Sequence, residues 1–228
     1  PLEKVEMKKE PPKPTKLALD ISKITSISEL GRVKLQNLVS TGHNEFLARE
    51  LINKQIAHAQ KQAIILKRGL DHIEYLWAFI DAIVELERVA DFFGIDYAAL
   101  SKLLDISLTN RDLFLCYQTF LEIVHSMPEA SPGHKELVQR YTKFPKATDI
   151  TEANYQGFLR ANIDSIKSKR PQLKKRSNAI LNEKKGDELK DEVFRYYDFF
   201  LYSEEFSLDF YEELQRLIDA AGLSLSDV

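Results

Sequence analysis

The 228-residue chain has one cysteine, Cys116, which excludes an intramolecular disulfide and a cysteine-rich zinc site. Glycine and proline are also scarce, eight of each, and no proline lies between Pro14 and Pro128. That interval lacks the strongest helix breaker, so long helices are expected in it. Neither sign of charge prevails: 32 lysines and arginines meet 35 aspartates and glutamates, a net of −3. As a whole the chain is therefore neither a polybasic nucleic-acid coat nor an acidic tail. The most apolar stretch, Tyr75 to Leu86, is shorter than a bilayer requires and contains Asp81. The charged start, with Glu3, Lys4, Glu6, Lys8, Lys9 and Glu10, has no signal-peptide core. Together these absences give the expectation of an intracellular, cytoplasmic protein without a membrane segment.

Catalytic signatures are missing as well. There is no glycine-rich phosphate loop, no dinucleotide fingerprint and no Gly-x-Ser-x-Gly elbow. A di-iron bundle needs two Glu-x-x-His pairs, and only Glu122 with His125 has that spacing; His43, His58, His72 and His134 do not. Cys116, between Leu115 and Tyr117, reads as a small buried hydrophobe. Asp81 and Glu85, one turn apart on the apolar stretch, are a paired-carboxylate candidate, although a helix contact satisfies them equally well. The expectation is no enzyme, no metal and no cofactor.

What the chain does have is helical periodicity. Residues 1–16, with Pro11, Pro12, Lys13 and Pro14, read as a flexible Pro/Lys-rich arm. A first helix follows from Ser26 towards Gly42. From Asn44 onward, apolar residues recur at Ile52, Ile56, Ala59, Ala63, Leu66, Leu70, Ile73, Trp77, Ile80 and Val84, in alternating steps of four and three. This is coiled-coil spacing, and it predicts one continuous helix over about 44–93, roughly 75 Å long. Gly69 is the weakest point within it. Ile52, Ile56, Ala59, Ala63, Leu66, Leu70 and Ile73 would then be a self-association seam, for a homo-oligomer or a helical protein partner. Shorter helices are expected at 97–104, 110–126, 133–143, 151–168, 171–184, 188–202 and 207–221, and no segment alternates like a strand. The fold class is all-α, a helical bundle around the long helix. Its parts are the arm, a long-helix core over 17–126 and a C-terminal helical region over 133–228.

Residues 88–104 carry the sharpest local pattern. Ala90 is small, Gly94 opens a turn, and Val89, Ile95, Leu100 and Leu103 are apolar at locking positions. The segment resembles a helix-turn-helix, and the rest of the chain is assigned to no family. The resemblance implies a recognition helix from Tyr97, offering Tyr97, Ala99, Ser101 and Lys102 to a DNA major groove. A tight helix corner with no ligand fits the same residues. Residues 71–105 hold eight acids against Arg88 and Lys102, which opposes phosphate.

Basic charge concentrates further on, at Lys167, Lys169, Arg170, Lys174, Lys175 and Arg176, a candidate phosphate-contacting strip at 167–176. Residues 186–228 then hold twelve acids against three bases, so the two stretches also suit mutual neutralisation. Nine aromatics fall between Phe194 and Tyr211, more than one helix stripe accommodates, so some are expected at a protein-binding surface. The leading expectation is a non-catalytic helical assembly or adaptor protein acting through self-association and partner binding. The alternative is a DNA-binding regulator that uses 88–104 together with the basic strip.

Overall fold

The computed structural model describes residues 20–68, 76–140, 144–166, 170–202 and 207–225. The fold is all-α: ten α-helices and two short 3-10 turns, with no strand among the described residues. The α-helices are α1 (Ile27–Ser40), α2 (Glu45–Lys67), α3 (Leu76–Phe93), α4 (Tyr97–Leu103), α5 (Asn110–Ser126), α6 (Pro132–Arg140), α7 (Tyr155–Ile166), α8 (Arg170–Glu183), α9 (Gly186–Tyr202) and α10 (Leu208–Ala220). Their starts follow local chemistry. Ser26, Asn44, Asp96 and Ser207 each accept a backbone N–H of the first turn, and Thr109 forms a reciprocal capping box with Asp112. Helix α7 begins at Tyr155, later than the expected 151. The side chain of Asn154 accepts the Thr151 N–H at 2.6 Å and holds 151–154 in a turn.

The long helix is corrected. His58 on α2 donates to Glu85 on α3 at 3.0 Å. In one continuous helix these residues, 27 apart, would be separated by roughly 40 Å. The heptad pattern instead belongs to two helices that fold back on each other, with α1 packed on α2. Gly31 permits that approach, since a Cβ there would stand 2.8 Å from Ile56 Cδ1. Gly69 itself lies outside the described residues.

Two apolar cores result. The larger surrounds α3, whose Ala82, Leu86, Val89 and Ala90 are fully buried, and gathers α1, α2, α4, α5 and α7. Leu137, Ile150, Tyr155 and Leu159 belong to it as well. The smaller core joins α9 and α10, with α8 packed against them, to Leu47 and Leu51 of α2. The expected arm, residues 1–16, lies outside the described residues.

Candidate functional site

The seam residues come first. Ile52, Ala59, Ala63 and Leu66 are buried within the single chain and Ile56 is half-buried. This face of α2 is covered by α1 and α3, so it is not a free self-association surface. Leu70 and Ile73 lie outside the described residues. A 3.5-residue spacing marks an apolar seam without saying whether the facing helix belongs to the same chain.

The corner at 88–104 is built as two helices about Gly94, whose φ of +71° is the left-handed conformation. Ile95 N–H bonds back to the Ala90 carbonyl at 3.0 Å, and Ala90 has no exposure. The expected reading face is not outward, however. Tyr97 and Ser101 are 6% and 7% exposed, while Lys102 is exposed. Apolar spacing could have shown this: Tyr97, Leu100 and Leu104 share one face of α4, and Ser101 lies beside them. Exposed Asp91, Asp96 and Asp105 stand around the corner, unlike the basic frame that phosphates require.

The inward residues line a cleft of about 340 Å³ between α4, the start of α5 and α7, with Ile106, Leu108, Asn110, Leu113 and Gln156 among its walls. Tyr155 donates to Asn110 Oδ1 at 2.7 Å, and the Asn110 amide nitrogen donates to the Glu152 carbonyl at 3.2 Å. By contrast, buried Tyr97 Oη and Ser101 Oγ have no hydrogen-bond partner beyond each other. Burial pushes the Tyr97 phenol up to about 12. Close by, Glu87 is 5% exposed and meets Arg160 at 3.4 Å. Burial raises its carboxyl above the usual range, Arg160 opposes the rise, and Asp96 and Asp91 add to it. Sequence reasoning missed this cleft, because α4, α5 and α7 meet only in the tertiary fold.

In the basic strip, Lys174, Lys175 and Arg176 are exposed on α8, and Arg170 opens that helix. Lys167 and Lys169 lie outside the described residues. The strip runs against the acidic end of the chain. Arg176 sits 5.2 Å from the Tyr196 ring centroid, and Lys174 lends its charge to Glu213. Beneath them, fully buried Ser177 donates to Glu213 while Arg216 donates to Ser177 and Glu213, fixing α8 to α10.

Of the C-terminal aromatics, Tyr196, Phe200, Phe210 and Tyr211 are core, and Tyr196 stacks on Phe210 at 5.4 Å. Phe199 and Tyr202, one turn apart on α9, are 52% and 86% exposed. Exposed Asp191 and Asp198 lie on the same helix.

The remaining candidates are simpler. Glu85 is engaged by His58 and by Arg88 at 3.1 Å, Asp81 is half-buried, Glu122 is exposed, and His125 contacts the Pro145 carbonyl at 2.9 Å. Cys116 is buried, and burial pushes its thiol up to about 12. Among the described residues no three His, Cys, Asp or Glu side chains group as metal ligands, and no helix is long and apolar enough to cross a membrane. No protein-family model, no curated protein and no solved structure matches the chain.

Proposed function

We propose that this chain is a non-catalytic helical module that binds a protein partner through the aromatic end of α9. The observation that carries the reading is the pair Phe199 and Tyr202, 52% and 86% exposed beside Tyr196, Tyr197, Phe200, Phe210 and Tyr211, which are packed into the core. Large rigid aromatics anchor protein interfaces at low entropic cost, and water contact leaves such area unused. The acids Asp191 and Asp198 favour a basic partner segment with an apolar anchor of its own. Self-association through the seam drops out of the reading, because α1 and α3 cover that face of α2. A DNA-binding role is disfavoured, since Tyr97 and Ser101 turn inward and Lys174 and Arg176 are engaged by the acidic end.

The test is anisotropy of two labelled peptides, one Lys/Arg-rich with leucine anchors and one with the same charge but no apolar residue. The anchored peptide is expected to bind more tightly, to weaken with salt, and to lose at least tenfold in affinity against a Phe199→Ala, Tyr202→Ala double variant. Equal affinity of the wild type and the variant for the anchored peptide would remove the reading.

A further inference from the structure

Two hydroxyls in the wall of the α4 cleft are unexplained by packing. Tyr97 Oη and Ser101 Oγ lie one helical turn apart and close enough to interact with each other, and neither buried oxygen has any further hydrogen-bond partner. Buried polar groups in folded proteins are almost always paired, because desolvation is costly when nothing replaces the lost water. Other polar groups of the wall are already committed: Asn110 is bonded to Tyr155 and to the Glu152 carbonyl, and Gln156 donates to Asn110 and Tyr155 at 3.4 Å. Even when one hydroxyl donates to the other, the pair keeps an uncommitted donor beside a cleft of about 340 Å³ whose other walls include Ile106, Leu108 and Leu113. That size is at the small end of ligand pockets and suits a molecule of single-ring dimensions.

We propose that this cleft binds a small uncharged molecule with an apolar ring and one carbonyl-type acceptor, which takes hydrogen bonds from Tyr97 and Ser101. Charge decides the class. A carboxylate seated against two neutral hydroxyls would lack a buried cation, and Glu87 stands near Tyr97. Lys102 and Asp105, both on the cleft wall and exposed, offset each other. A cation fares no better, because Glu87, the buried carboxylate near the hydroxyls, is already met by Arg160 at 3.4 Å. Both oxygens are covered when the cleft is empty, so binding draws them out through a Ser101 rotamer change and a small shift of the phenol. Apolar walls hold the ring while the acceptor oxygen supplies the missing partner. The site is independent of the α9 surface.

The experiment titrates the isotopically labelled full chain with benzamide, benzoate and benzamidinium, three probes of one shape and different charge, and follows backbone amide signals. Benzamide is expected to shift the amides of Tyr97, Ser101, Leu113 and Gln156 saturably in the millimolar range, with the charged probes at least tenfold weaker. Tyr97→Phe and Ser101→Ala are each expected to weaken benzamide at least fivefold, and the double variant is expected to melt no lower than the wild type, since it removes both hydroxyls together. The proposal is overturned if these amides do not move, if benzoate or benzamidinium binds as well as benzamide, or if the two variants bind benzamide like the wild type. A lowered melting temperature in the double variant would also overturn it, because the hydroxyls would then have partners in the free chain beyond each other.

Discussion

Glu85 and Glu87 lie two residues apart on α3, yet their surroundings move their acidities in opposite directions. For Glu85, burial pulls the carboxyl up, but the His58 hydrogen bond and the Arg88 charge outweigh it and hold the group below its usual range. A lowered folded-state pKa stabilises the fold above the unfolded pKa, about 4.3. That contribution disappears as pH falls through the folded value. Glu85→Gln is therefore expected to cost about 1–2 kcal/mol near neutrality. Melting temperatures across acid pH should show the gap to wild type closing below the unfolded pKa. For Glu87, burial dominates and the carboxyl is raised. The sign reverses: stability is fully present below the unfolded pKa and falls as pH rises through the folded one. Glu87→Gln is expected to raise the melting temperature at pH 7 and to leave it unchanged in acid. Cys116 gives a kinetic counterpart. With the thiol pushed up to about 12, its thiolate fraction at pH 8 is roughly a thousandfold below that of a free cysteine. Labelling by a thiol-specific reagent should be slower by at least that factor in native protein than in denaturant, and comparable rates would mean that the site opens readily.

At the scale of elements, the two ends of α4 use the left-handed conformation in different ways. Gly94, ahead of α4, takes φ +71°, and a Cβ there would meet nothing within 4 Å. Only the backbone preference is at stake, so Gly94→Ala is expected to cost about 1–2 kcal/mol. Asp105, after α4, holds φ +56° without that freedom. Asp105→Gly is accordingly expected to stabilise by up to about 1 kcal/mol, and chemical denaturation of the two variants checks both signs. Much at this scale was legible in the sequence. The run from Asn110 to Ser126 is a helix at those bounds because Thr109 and Asp112 form a visible capping box. The turn at Gly94 was equally readable. What escaped was the partner of each apolar face. Leu66 and Ala59 repeat at heptad spacing whether the covering helix comes from another chain or from α3. Likewise, apolar spacing marks the Tyr97 face of α4 as inward, but only the packing of α5 and α7 makes Tyr97 and Ser101 the walls of a cleft. Gly31 was passed over because close helix approach leaves no mark in the sequence of one helix alone.

The whole molecule is held together by α2, which contributes to both cores from adjoining faces. Ala48 and Ile52 belong to the core around α3, whereas Leu47 and Leu51 belong to the core of α9 and α10. All four are 4% exposed or less, so neither core can lose its wall without disturbing the helix that serves the other. Tyr211 adds a polar tie, donating to the Asn44 carbonyl at 3.2 Å where α2 begins. Lys54 adds another through the Leu201 carbonyl at 3.1 Å. Such sharing predicts one cooperative transition, although the described residues form two apolar clusters. Leu51→Ala is the discriminating substitution, because Leu51 has no exposure and packs in the smaller core. A cost of about 2–5 kcal/mol is expected for a cavity of this kind. If α2 couples the cores, amide hydrogen exchange should speed up by a similar factor in the slowest amides of α9, α10, α3 and α5. Acceleration confined to α9 and α10, with α3 and α5 exchanging as in wild type, would mean that the cores open separately and that α2 stays folded on one when it leaves the other. The proposed partner surface depends on the outcome. Phe199 and Tyr202 stand on an element whose inner face is half of this coupling, so with coupled cores, peptide binding at α9 should protect amides of α3 as well as those of α9.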